Sequence, residues 1–130
     1  MAKRRVLIVD DEVDFVDLMK IRLEADGYEV ITANNGKDAL DRFNKDKPAA
    51  ILLDIMMPEL DGLSVLKTIR SQDALLPIFI VTAFSNEERV KAAGKLNATG
   101  FIVKTQDLGK EIKSITAAID IAEKFKEKNA

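Results

Sequence analysis

Short apolar runs alternate along the chain with longer stretches in which apolar residues recur every three or four positions. The apolar runs at residues 6–9, 49–53 and 78–81 predict strands that are buried on both faces, as in the centre of a parallel sheet. Residues 100–103 form the last such run and predict a further strand. Residues 28–33 alternate polar and apolar side chains, which predicts a strand nearer the edge of the sheet.

The stretches between these strands predict amphipathic helices. The predicted helices span residues 14–26, 37–45, 62–71, 86–95 and 107 to about 126. The first has an apolar stripe and is followed by a glycine that predicts its end; these residues are Phe15, Leu18, Met19, Leu23 and Gly27. A strand followed by a helix, repeated five times, predicts an α/β fold in which helices cover both faces of a mostly parallel sheet.

The composition fits one globular domain. The chain has 130 residues, of which 20 are Lys or Arg and 22 are Asp or Glu, with a formal net charge of −2. We expect one domain at residues 1–124 and a charged tail or linker stub at residues 125–130. The interspersed charges argue against nucleic-acid binding, and no apolar run approaches the roughly 18 residues of a membrane span. With no recognisable signal peptide, we expect a cytoplasmic protein without a membrane partner.

Two residue types that carry much of enzyme chemistry are absent. The chain contains no cysteine and no histidine. A disulfide, a thiolate nucleophile, a Ser-His-Asp triad and a phosphohistidine on this chain are therefore excluded. Glycine-rich phosphate-binding motifs are also missing. Any chemistry must use carboxylates, hydroxyls, amines and backbone groups.

Polar residues follow the predicted apolar strands. Asp10 and Asp11 follow the first run, and Asp54, Thr82 and Lys104 each stand directly after one of the others. In an open parallel α/β sheet, ligands bind outside the carboxyl ends of the strands. The architecture therefore predicts that three carboxylates, a hydroxyl and an ammonium group meet at one edge of the sheet.

A cluster of carboxylates predicts a bound cation. Two carboxylates ~4 Å apart repel each other by about 4 kcal/mol at an effective dielectric constant near 20. A hard ion with oxygen ligands relieves this repulsion, and Mg²⁺ fits best. With the ammonium and hydroxyl groups nearby, the site could receive a phosphoryl group, and Asp54 could attack it to form an acyl phosphate.

Each of these residues also has an ordinary structural explanation. Asp10 or Asp11 could cap the following helix, and Asp54 could be a turn residue. Thr82 could be a helix cap or a hydroxyl satisfied in the core, and Lys104 a solvated surface charge. The functional interpretation depends on their joint placement at several strand ends.

The sequence resembles the receiver domain of bacterial response regulators over about residues 4–122. The motifs that carry the resemblance are VLIVDDE at 6–12, LDIMMP at 53–58 with Asp61-Gly62, VTA at 81–83 and FIVK at 101–104. The resemblance implies a flavodoxin-like, doubly wound sheet of five parallel strands in the order 2-1-3-4-5, with helices on both faces.

The resemblance also implies a phosphorylation and metal site. Asp54 matches the phosphorylated aspartate. The Mg²⁺ ligands would be Asp11 directly, Asp10 through water, Asp54, and the backbone carbonyl of Met56. Lys104 and Thr82 match residues that contact the phosphoryl oxygens.

A conformational switch is implied as well. Thr82 would move toward the phosphoryl group and Phe101 would turn inward, changing the face made by the fourth helix, last strand and last helix. The implied partners are a sensor histidine kinase or histidine phosphotransfer protein and an unknown downstream protein, with a homodimer possible on phosphorylation. The chain would promote its own phosphorylation and dephosphorylation without turning over a separate substrate. Whether it is a stand-alone receiver or part of a longer regulator stays open.

Two positions near the motifs lead to further expectations. Thr105 stands where the family usually has proline, so we expect a trans peptide bond after Lys104, because a cis bond before a non-proline residue costs about 2.5–4 kcal/mol. Met56 and Phe84 are bulky and apolar at the positions that flank the path of the hydrolytic water. We therefore expect slow loss of the phosphoryl group.

Two other functions are compatible with parts of this pattern. The first is a Mg²⁺-dependent aspartyl-phosphate phosphatase, although such enzymes usually carry a second Asp where this chain has Met56. The second is a receiver-like interaction module that is never phosphorylated. The presence of all the polar site residues argues against it.

Overall fold

The computed structural model describes residues 4–55, 62–83, 87–104 and 108–129. This part of the chain forms five strands and five helices in strict alternation. The strands are β1 (Arg5–Val9), β2 (Glu29–Ala33), β3 (Ala50–Leu53), β4 (Ile78–Thr82) and β5 (Gly100–Val103). The helices are α1 (Val13–Ala25), α2 (Gly36–Asp46), α3 (Gly62–Gln72), α4 (Glu87–Lys95) and α5 (Leu108–Asn129).

The strands form one parallel sheet in the order β2-β1-β3-β4-β5. This confirms the predicted strand order. The register pairs Val9 with Leu53, and Leu53 with Ile80. β1 and β3 therefore end at the same level, and β4 continues two residues further to Thr82. The residues that follow these parallel strands lie at the same, carboxyl end of the sheet.

Helices cover both faces of the sheet, as predicted. On one face, the core is formed by α1 and α5 against alternate strand residues such as Ile8 and Leu52. On the other face, α2, α3 and α4 pack against the intervening residues, such as Leu7 and Ile51. The central strands are thus buried on both faces, which explains why they are almost wholly apolar.

Two details of the helices differ from the predictions. In α1, Leu18 is only partly buried, and Val16 joins Phe15, Met19 and Leu23 in the core instead. Val16 lies three residues before Met19 and thus on the same face of the helix. Helix α5 continues to Asn129, past the predicted end near residue 126. Among the described helices, none combines the length and apolar character of a membrane span.

Candidate functional site

Backbone hydrogen bonds fix the residues that follow the strands. The Asp54 amide donates to the carbonyl of Val9 at 2.9 Å, and the Lys104 amide donates to the carbonyl of Thr82 at 2.7 Å. The Asp10 amide donates to the carbonyl of Ala33 at 3.0 Å. The hydrogen bonding of the sheet thus extends one residue past the strands and fixes the backbone of these site residues.

Three carboxylates meet at this edge of the sheet. One carboxylate oxygen from each of Asp10, Asp11 and Asp54 lies within 4.8 Å of the others. Asp10 and Asp54 are only 3% and 6% exposed, whereas Asp11 is exposed. This donor set consists of hard oxygen ligands with an open side toward solvent, and it fits Mg²⁺, which retains several of its waters when bound.

Lys104 is the counter-charge of this cluster. Its side chain is only 7% exposed, and its Nζ atom lies 2.6 Å from Asp10 Oδ2 and 3.6 Å from Asp54 Oδ2. Glu12 Oε2 is a third carboxylate partner at 3.2 Å. Lys104 is therefore not a solvated surface charge but part of the site.

Burial and charge shift the pKa values of both partners in the closest contact. Burial raises the pKa of Asp10, and the hydrogen bond from Lys104 only partly offsets this effect. Burial alone would lower the pKa of Lys104, but the hydrogen bond to Asp10 and the charges of Asp10 and Asp54 outweigh it and raise that pKa. The ammonium group thus stays protonated beside the carboxylates.

Aromatic and hydroxyl groups complete the described surroundings. The Nζ atom of Lys104 lies 4.2 Å from the centroid of the Phe15 ring, a cation–π contact from helix α1. Thr82 is fully buried at the end of β4. Phe101, on the neighbouring strand β5, is partly buried and packs against the core on the α3 and α4 face.

The helix-cap explanation for Asp10 does not hold. Helix α1 has Glu12 as its N-cap residue, and the Glu12 side chain makes no capping hydrogen bond. The Asp10 carboxylate instead accepts a hydrogen bond from the Glu12 amide at 2.9 Å and another from Lys104. Asp10 therefore has two contacts: it holds the backbone at the start of α1, and it binds Lys104 in the site.

Some predicted features lie outside the described residues. These are Met56, whose carbonyl is a predicted metal ligand, and the bulky Phe84, together with the peptide bond that leads into Thr105. The role of the Met56 carbonyl as a Mg²⁺ ligand, the slow loss of the phosphoryl group and the trans peptide bond thus stay predictions.

Sequence reasoning missed three contributors to the site. Glu12 and Phe15 contact Lys104, although the sequence suggests only a motif residue and a core residue at these positions. Gly62, the first residue of α3, is packed so closely that an added Cβ would lie 2.6 Å from the Cα of Ile55 and even closer to the carbonyl oxygen of Asp54. Two of these residues could have been found from their positions in the sequence. Glu12 stands two residues after Asp10, and Gly62 is the first residue of a predicted helix.

Comparison with known protein families agrees with this architecture. The family model described as response regulator receiver domain matches residues 6–116. The match contains the whole described carboxylate cluster and Lys104, and it runs from β1 into α5.

One curated relative is the alkaline phosphatase synthesis transcriptional regulatory protein PhoP of Bacillus subtilis. It is 38% identical over 123 residues, which are 92% of this chain and 51% of PhoP. The chain spans about half the length of the first curated relatives that it matches.

Solved structures of receiver proteins have the same fold. The chemotaxis protein CheY4 of Vibrio cholerae is 29% identical with a TM-score of 0.82, covering 90% of this chain and 99% of CheY4. The response regulator TrrA of Thermotoga maritima, solved in complex with Mg²⁺-BeF, is 31% identical with a TM-score of 0.78, covering 88% of this chain and 98% of TrrA. From the family match, the relatives and the shared fold together, the chain belongs to the response regulator receiver domain family.

Proposed function

We propose that this chain is a phosphoacceptor receiver domain of a two-component or phosphorelay system, with Asp54 as the phosphorylated residue. Phosphorylation on aspartate is a general property of the family, and response regulators partner with histidine kinases. The observation that carries the proposal is the buried Asp54 carboxylate, which lies beside two further aspartates and 3.6 Å from a buried ammonium group.

The phosphoryl donor lies outside these 130 residues. They contain no histidine, so in this proposal a phosphohistidine of a kinase or phosphotransfer protein supplies the group. An Asp54 carboxylate oxygen attacks the phosphorus atom, the new O–P bond forms, and the P–N bond to the partner imidazole breaks. The imidazole leaves with the bonding electron pair, and the product is an acyl phosphate on Asp54.

The metal of this family fits the carboxylate cluster. Receiver domains generally bind Mg²⁺ at an acidic pocket. We assign Asp10, Asp11, Asp54 and the carbonyl of Met56 as the residues that would hold it. When bound, the ion supplies positive charge against the carboxylates and the phosphoryl oxygens.

Lys104 and Thr82 act on the phosphoryl oxygens. The Lys104 ammonium lies within 3.6 Å of the acceptor carboxylate and remains protonated, so it can donate hydrogen bonds to the equatorial oxygens. Thr82 offers a hydroxyl from the end of the neighbouring strand β4. Together they orient the group and compensate its charge during transfer.

The switch follows from the placement of Thr82 and Phe101 on adjacent strands. When Thr82 moves toward the phosphoryl group, the space that it leaves can be filled by Phe101 turning inward. The face of α4, β5 and α5 then changes shape. Two apolar residues on this face, Val90 and Val103, are 43% and 40% exposed to solvent. We propose this face as the contact for the downstream protein or for a second copy of the chain.

The phosphatase alternative has no support from the comparisons. Receiver domains usually do not act on a separate substrate. In addition, Met56 stands where phosphatases of this kind usually carry a second aspartate.

The acceptor is tested by incubating the purified chain with acetyl phosphate and Mg²⁺ and measuring covalent phosphate by intact mass. We expect one phosphoryl group on the wild type and none on Asp54→Asn, because an amide oxygen is a poor nucleophile. Asp17→Asn, a change of an exposed aspartate on α1, serves as the matched control and keeps full phosphorylation. Covalent phosphate on Asp54→Asn would refute the assignment.

A further inference from the structure

Glu12 is placed to control where the Lys104 ammonium group points. The ammonium lies 2.6 Å from Asp10 and 3.2 Å from Glu12, both from the β1–α1 segment, but 3.6 Å from Asp54. The Phe15 ring, also from α1, lies 4.2 Å from the same atom. The ammonium is thus drawn toward the start of α1 and away from the phosphoryl acceptor.

We propose that Glu12 is a positioning residue that competes with the phosphoryl group for Lys104. The inference rests on the proposed function, because it needs Lys104 to bind the phosphoryl oxygens. In the unphosphorylated state Glu12 holds the ammonium on the α1 side. When the phosphoryl group is present, Lys104 exchanges this contact for a phosphoryl oxygen, and the strength of the Glu12 contact opposes that exchange.

The Glu12 carboxylate is well suited to this role. It stands at the N-cap of α1 but makes no capping hydrogen bond, so capping does not fix it. Its side chain is 59% exposed, so water can solvate the carboxylate once Lys104 leaves. Asp10 differs, because its side chain is 2% exposed and losing the ammonium there would leave a buried charge. Of these partners, Glu12 is therefore the one that Lys104 can leave at small cost.

The size of the effect is set by the exposure of the pair. Exposed ion pairs contribute about 0.2–1 kcal/mol, which corresponds to a change in affinity of up to about fivefold. In the Glu12–Lys104 pair the lysine is buried and the glutamate is exposed, so we expect an effect in the upper part of this range.

The test uses beryllofluoride, a noncovalent mimic of the phosphoryl group, titrated calorimetrically into the full chain at saturating Mg²⁺. We expect Glu12→Gln to bind beryllofluoride about two- to fivefold more tightly than the wild type. Asp14→Asn is the matched control, since it removes a negative charge from the first turn of the same helix. We expect it to bind as the wild type does.

The outcomes separate positioning from general charge and from structure. Equal tightening by Asp14→Asn would show that any lost negative charge attracts the anion, and it would overturn the role of Glu12. If Glu12→Gln bound beryllofluoride as the wild type does or more weakly, and its midpoint of thermal unfolding were lower than that of the wild type, Glu12 would have a structural role only. If the wild type itself binds no beryllofluoride at saturating Mg²⁺, the proposed function fails, and the inference fails with it.

Discussion

The ammonium group of Lys104 is almost removed from water while it faces three carboxylates. A buried charge is tolerated when partners surround it, and removing one member of a buried pair leaves the other uncompensated. Here the buried carboxylates of Asp10 and Asp54 depend on this one lysine for their nearest positive charge among the described residues. The lysine thus contributes to folding as well as to the proposed chemistry.

Lys104→Met should destabilise the metal-free protein, because it keeps much of the side-chain volume but removes the charge between Asp10 and Asp54. We expect the free energy of unfolding to fall by about 3 kcal/mol, measured by urea denaturation with a chelator present. Lys91→Met is the matched control, since that lysine is 68% exposed in its pair with Glu87. A loss no larger than that of the control would show that the carboxylates do not need Lys104.

The start of helix α3 is pressed against the end of strand β3. Gly62 allows this approach, since any Cβ there would overlap the backbone of Asp54 and Ile55. Backbone atoms at a strand end cannot rotate away as a flexible side chain can. The position of α3 is therefore coupled directly to the position of Asp54, the proposed acceptor.

Gly62→Ala should push α3 and β3 apart and disturb the site. We expect a loss of about 1–3 kcal/mol in the free energy of unfolding and weaker Mg²⁺ binding, measured by urea denaturation and calorimetry. Gly94→Ala, in α4, is the opposite case, because a Cβ there meets nothing within 4 Å. That change should leave Mg²⁺ binding intact and stabilise the protein by up to about 1 kcal/mol. If both changes had the same effect, the close approach would not matter.

At the scale of the whole molecule, the carboxylate cluster joins segments that are distant in the chain. Asp10 and Asp11 follow β1, whereas Asp54 follows the neighbouring strand β3. The three carboxylates come together only when the sheet forms. Binding of an ion to them would therefore be linked to folding and would stabilise the native state by mass action.

Added Mg²⁺ should raise the stability of the whole domain. At a free concentration of 100 times the dissociation constant, we expect a gain of about 2.7 kcal/mol in the free energy of unfolding. Asp11→Asn should abolish most of this gain while changing the metal-free stability little, because Asp11 is exposed. Urea denaturation with and without Mg²⁺ measures both. An equal gain in the wild type and in Asp11→Asn would place the ion elsewhere.

Much of this architecture could be predicted from the sequence, and there are physical reasons why the other features could not. The apolar runs predict the alternating elements, because strands buried on both faces must be apolar. Periodicity contains no information on strand order, which came from the family resemblance. The edge position of Asp10, Asp54 and Lys104 follows from a general rule for parallel sheets. The contact between Lys104 and Glu12, in contrast, depends on side-chain rotamers and on the angle at which α1 leaves β1.

The strand that delivers Lys104 is one of the two edge strands of the sheet. β5 has β4 as its single neighbour, and its residues are partly exposed, whereas β3 lies between two strands. Brief local opening of an edge strand needs far less free energy than global unfolding. Each such opening would carry Lys104 away from the carboxylate of Asp54, the proposed acceptor, which follows the central strand β3. The rate at which the domain accepts a phosphoryl group would then depend on the fraction of time that β5 is paired with β4.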